Sequence, residues 1–220
     1  ELSKIDISTD NWPFFYMPKK IWPKSYMFII FLIFLSSFFL IHRTNPINRS
    51  NFSPVCFFLG AGFMLVETKG ITELALVYGS TWFVVSIVIG CVLIMAYLAN
   101  LLVINNTKIK LWLVYTFIFF TIVLGYFYTL IDHGTLSPIL QKILTPTMLT
   151  LPMFFSGMAF SKQLSTEKAI SIALSSNILG AIFGGLLEYN AMYFGYRSLY
   201  ILGFAMYLAA FIFSKKKFIN

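Results

Sequence analysis

The sequence predicts an all-α fold, a polytopic transmembrane helix bundle of about seven hydrophobic segments. Three observations lead there. Apolar residues make up 59% of the 220 residues, with 25 Phe among them, and the mean hydropathy is +0.82, more than one soluble core of this length calls for. Apolar stretches of bilayer-spanning length recur along nearly the whole chain, and in lipid each satisfies its backbone only as a helix or inside a closed barrel. The alternating pattern of barrel strands is absent, which leaves helices.

Taken in order, residues 1–24 form a polar and aromatic junction segment with Pro18, Pro23 and several lysines, where no span fits. The start at Glu1, without an initiator Met, reads as a piece of a longer protein. The first span covers about 25–41 and stops at His42-Arg43, ahead of a polar loop over 44–51 that includes Pro46. The second covers 54–78 and holds Glu67, Lys69 and Glu73. A third runs over 81–103, ended by Asn105, Asn106, Lys108 and Lys110, and a fourth over 111–131, closed by Asp132-His133-Gly134.

A short amphipathic piece over 138–144 precedes the fifth span, 146–160, where Pro146 and Pro152 predict a kink or a break. In the polar stretch that follows, Ser165-Thr166-Glu167 is placed to cap the next helix. The sixth span, 169–189, carries a stripe of small and polar residues. Gly180, Gly184 and Gly185 are its predicted packing positions, the first two at the four-residue spacing that lets helix backbones approach. The seventh, 198–213, ends in Lys215-Lys216-Lys217. Trp22, Trp82 and Trp112 fall at segment starts, where interfacial aromatics belong.

The net charge of +8 is scattered over connections and ends and forms no single basic domain face. It reads as a topology signal in a protein of the bilayer, with no nucleic-acid partner. If all seven segments cross, Arg43, Arg49, Lys108, Lys110, Lys162, Lys168 and the three tail lysines share one side, nine in all, against five on the other: Lys19, Lys20, Lys24, Lys142 and Arg197. If the charged second segment instead dips in and returns, the split is ten to four, with residues 1–24 on the basic side. Length favours the crossing, since 25 residues are ample to span.

Catalytic and metal chemistry find little footing. Cys56 and Cys91 have no nearby Cys or His, and His42 and His133 have no spaced ligand partners. No serine has a plausible base, and no cofactor site is expected in these residues. The charges of the second segment are the sharper signal, because an ionisable group at membrane depth must be paired, wetted or used. Helical spacing pairs Lys69 with Glu73 as a structural ion pair and puts Glu67 on another face with Gly60, Met64 and Ile71. Glu67 is thus left without a local partner. With Glu188, Asn177 and Tyr189 it forms the candidate binding set for a polyamine-like cation or a proton, against a purely structural role between helices.

Thr9-Asp10-Asn11-Trp12-Pro13-Phe14-Phe15-Tyr16 resembles the Asp-Asp-Trp-Pro-Phe-Leu-Tyr junction of large bacterial membrane proteins with a spermidine-synthase-like or methyltransferase-like domain, with Asn11 at the second Asp. Gly60-Ala61-Gly62, Glu67 and Gly79-Ser80-Thr81 are similar to the first helix of the membrane part of fused major-facilitator and spermidine-synthase-like proteins. Asn177 with Gly180, Gly184-Gly185, Glu188-Tyr189 and Gly195-Tyr196-Arg197-Ser198-Leu199-Tyr200 resembles a later helix pair of the same part. The resemblance implies a major-facilitator-half-like bundle in the inner membrane, and an S-adenosylmethionine-type domain upstream in the same polypeptide. No Gly-rich nucleotide loop occurs in these residues, so the parent's aminopropyl or methyl transfer is not expected of them. The expected function is a membrane domain that binds or moves a small cationic substrate; the alternative is a passive anchor and homo-oligomerisation module.

Overall fold

The computed structural model describes residues 6–44, 52–79, 82–106, 108–130, 137–167 and 169–219. His133, Pro46 and the Ser80-Thr81 pair lie outside the described residues. The helices are α1 (Lys24–Thr44), α2 (Pro54–Tyr78), α3 (Trp82–Asn105), α4 (Leu111–Tyr128), α5 (Pro138–Thr166), α6 (Ile170–Glu188), the short α7 (Ala191–Phe194) and α8 (Ser198–Ile219). Among the described residues there is no strand, only one isolated bridge between Thr9 and Trp12. Six helices, α2 to α6 and α8, are long and apolar enough to cross a membrane. The chain is a multi-pass helical membrane protein.

α2 is the hub of the bundle, packed on α6, α8, α5 and, more lightly, α3. Its contacts fix the directions of its neighbours. Along α6, Ser53 meets Ser176, Ala61 meets Gly184 and Thr68 meets Glu188, so α6 runs parallel to α2. Along α8, Phe58 stacks on Phe213, Gly62 faces Tyr207 and Val66 faces Gly203, so α8 runs antiparallel. Gly125 against Tyr200 and Tyr115 against Phe211 set α4 antiparallel to α8. Phe117 stacks on Phe155 and Tyr128 bonds to Thr145, which sets α5 antiparallel to α4. The long helices therefore alternate in direction, as successive membrane crossings require.

Two expectations about local structure are corrected. α5 is one helix of 29 residues that passes through both Pro146 and Pro152, in place of a separate 138–144 piece and a broken 146–160 span. Prolines are tolerated in such helices because neighbouring helices and hydroxyl side chains compensate the disturbed backbone. The carbonyls left without an amide donor are those of Lys142 and Met148, and α2, α3 and α4 pack along α5 and hold it as one helix. The second correction concerns the cap of α6. Ala169 is the N-cap and offers no side-chain bond, because α5 extends to Thr166 and takes Ser165 and Thr166 into its last turn. Glu167 turns to Ser53 and Gln163 instead.

The junction segment folds back onto one end of the bundle. Trp12, Phe14 and Met17 are buried with Leu65, Ala191, Met192 and Leu199 in a second apolar core. The Trp12 indole donates to the Met192 carbonyl at 2.7 Å. Asn11 clamps the α7–α8 turn, accepting from the Tyr196 and Arg197 amides, each at 2.8 Å. That turn needs Gly195, at φ +82°, where Asn11 presses so close that no Cβ fits. From Trp22, stacked on Tyr193, α1 leads away with most of its described side chains exposed.

Candidate functional site

α2 distributes the three charges of its segment to different surroundings. Lys69 is fully buried, and its ammonium bonds to the Glu73 carboxylate one turn on. The pair sits under α8, with the Lys69 ammonium 6.0 Å from the centre of the Tyr200 ring. Glu67 is half-buried and makes no hydrogen bond or ion pair among the described residues. It lies on the strip of α2 between the one covered by α6, through Ala61 and Met64, and the one covered by α5, through Gly70. α5 and α6 have no substantial contact with each other, and Glu67 lies between them with Tyr207 of α8 nearby.

Glu188 closes α6. Its carboxylate accepts a hydrogen bond from Thr68 Oγ1 at 3.2 Å and has no cationic partner among the described residues. It lines a cavity of about 310 Å³ together with Phe14, Tyr16, Tyr189, Met192 and Tyr196. Most of the walls are aromatic: Phe14 stacks on Tyr196 with 9° between planes, and Tyr16 stands at 85° to Phe14. Burial holds the Tyr16 phenol above its ordinary pKa, with Tyr26 and Tyr189 adding to it. Burial, then the Glu188 charge, does the same for Tyr196 against an opposing Thr72 hydroxyl. Both rings therefore stay neutral at physiological pH.

No family model, curated protein or solved structure matches this chain. The site must then be judged on its own residues. Of the four candidate binding residues, Glu188 and Tyr189 line the cavity. Asn177 does not: it packs on Gly60, eleven residues before Glu188 and so about 16 Å away along α6. Glu67 lines neither this cavity nor the neighbouring one, and is turned about 100° round α2 from Thr68. Phe14, Tyr16 and Tyr196 were not singled out as binding residues; their only signal was aromatic density in the junction motif and the Gly195-Tyr196 turn.

The packing stripe of α6 divides in the same way. A Cβ on Gly180 or Gly184 would collide with the backbone of Phe57 or Ala61, whereas one on Gly185 would meet nothing within 4 Å. Gly185 is therefore not a packing residue; one residue on from Gly184, it faces the cavity. A second, larger recess of about 540 Å³ lies on the far side of the Asn11 clamp, lined by Asn11, Tyr126, Asn190, Arg197 and Ser198. The Arg197 guanidinium is engaged there, donating to the Thr129 carbonyl at 2.8 Å. Among the described residues no group of three or more His, Cys, Asp or Glu side chains is placed to hold a metal.

Proposed function

We propose that this membrane protein binds a small organic cation in the cavity closed by the junction segment, with Glu188 as counter-charge. The observation that carries the reading is a carboxylate without a cationic partner among the described residues, in a cavity with mostly aromatic walls. An ammonium over an aromatic face gains roughly 0.5–2 kcal/mol, more as water is excluded. The carboxylate adds charge pairing in a partly desolvated place. The resemblance to spermidine-synthase-like membrane proteins agrees in kind, since it implies amine chemistry nearby; an inner-membrane location, a half-transporter-like arrangement and an upstream S-adenosylmethionine-type domain belong to the same proposal.

The test is calorimetric binding of simple amines to the purified chain in detergent. Glu188→Gln keeps the shape and removes the charge, and a loss of affinity of at least tenfold is expected. Equal affinity in the two proteins would remove Glu188 from the site. The competing reading, a passive anchor and oligomerisation module, draws on the close α2–α6 packing at Gly180 and Gly184. It predicts that no amine binds either protein.

A further inference from the structure

We infer that the Glu188 cavity is a receptor site for a singly charged ammonium group and opens on the membrane face opposite the lysine-rich loops. The choice of ligand rests on the cation-binding reading above; the choice of side does not. Among the described residues one carboxylate lines the cavity, and its other side-chain walls are chiefly Phe14, Tyr16, Tyr189, Met192 and Tyr196. One negative charge neutralises one ammonium. A polyamine would bring two or three charges into a space whose other polar groups are the neutral hydroxyls of Tyr16, Tyr189 and Tyr196, and each charge without a carboxylate would have to be desolvated against neutral groups alone. A stacked ring pair, Phe14 with Tyr196, and a Tyr16 ring perpendicular to it line a cavity with one carboxylate, which suits a compact, alkylated ammonium whose spread charge is weakly hydrated.

The side follows from helix direction. The alternation of α2 to α8 puts the starts of α2, α4 and α6 at one end of the bundle, together with the ends of α3, α5 and α8. Lys108, Lys110, Lys162 and Lys215 to Lys217 belong to that end by chain position, and the loops holding Arg49 and Lys168 connect there. At the other end lie the α6 and α2 C-termini, the Arg197 turn, the junction segment with Lys19, Lys20 and Lys24, and the cavity itself. With Lys142 added to the second end, the split is eight to five, so the lysine-rich end is cytoplasmic and the cavity is not. A nucleotide-using domain joined ahead of residue 6 would then stand outside the cytoplasm.

Two measurements separate the parts. Ile7 is 83% exposed on the junction segment and outside the cavity. Ile7→Cys should react with a membrane-impermeant maleimide in intact cells, while Lys108→Cys should react only after permeabilisation, with the wild type as control for Cys56 and Cys91. The reverse pattern overturns the side. For the ligand, tetramethylammonium and spermidine are titrated into the purified chain at matched ionic strength. Tetramethylammonium should bind at least as tightly as spermidine and lose tenfold or more in Glu188→Gln; tighter spermidine binding overturns the single-charge site while leaving cation binding intact, and no binding by either overturns both.

Discussion

At the scale of single residues, the two acids of α2 have different fates, and stability measurements should separate them. Glu73 compensates a lysine with no exposure to solvent. Removing one member of a buried pair leaves the other charged and alone, at a cost of about 3 kcal/mol. Glu73→Gln should therefore lower the thermal midpoint markedly, and Lys69→Met combined with it should restore most of the loss, because the double change removes both charges. If the double variant is as unstable as the single one, the pair is not what holds α2 under α8. Glu67, half-buried and without a hydrogen bond or ion pair among the described residues, should behave differently: Glu67→Gln should leave stability unchanged or raise it, since a carboxylate at membrane depth is unfavourable unless used.

The same residues mark how far the sequence could be read. Helical spacing alone was enough to bring Lys69 next to Glu73, because partners four apart share a face in any helix. Spacing could not show that Glu188 faces Phe14 and Tyr16, which are more than 170 positions away and arrive through the fold of the junction segment. It also grouped Asn177 with Glu188 by proximity in sequence, although eleven residues of helix separate them. A binding site assembled from distant segments leaves no periodic trace.

At the scale of elements, the α2–α6 contact is the most demanding in the bundle. Gly180 lies against the Phe57 backbone and Gly184 against that of Ala61, so a methyl group at either position must push the helices apart. Gly180→Ala should cost about 1–3 kcal/mol through overpacking. Gly185→Ala, with open space at the same point, should be neutral or stabilising by about 0.5 kcal/mol from reduced chain entropy. Thermal unfolding of the two variants in one detergent compares them directly; equal losses would mean that the stripe packs on both faces. The sequence showed the four-residue spacing but not its edge, since Gly184 and Gly185 look alike until a partner helix covers one of them. α5 shows the opposite failure. Its two prolines pointed to a kink or a break because local rules treat proline as a helix disruptor; the break does not occur, since α5, packed on α2, α3 and α4, continues through both.

At the scale of the whole molecule, the unsettled choice was whether the charged second segment crosses or turns back. α2 is a continuous helix of 25 residues, about 37 Å long, with no turn at which the chain could reverse. Its direction is tied to those of its neighbours: α6 runs parallel to it and α8 antiparallel, an order produced only if α2, α3, α4 and α5 each traverse the same thickness. Apolar faces agree, because Trp82 is exposed at one end of the bundle and Trp112 at the other, as interfacial anchors of a crossing pair should be. Topology reporters joined after Ser50 and after Ser80 should therefore report opposite sides, with the Ser50 fusion in the cytoplasm. A third, after Lys108, should agree with the first. If the Ser50 and Ser80 fusions agreed with each other, α2 would not cross, and the junction segment would no longer be separated from the lysine-rich loops by the membrane. The cavity at Glu188 would then open to the cytoplasm, where a different pool of amines would compete for it.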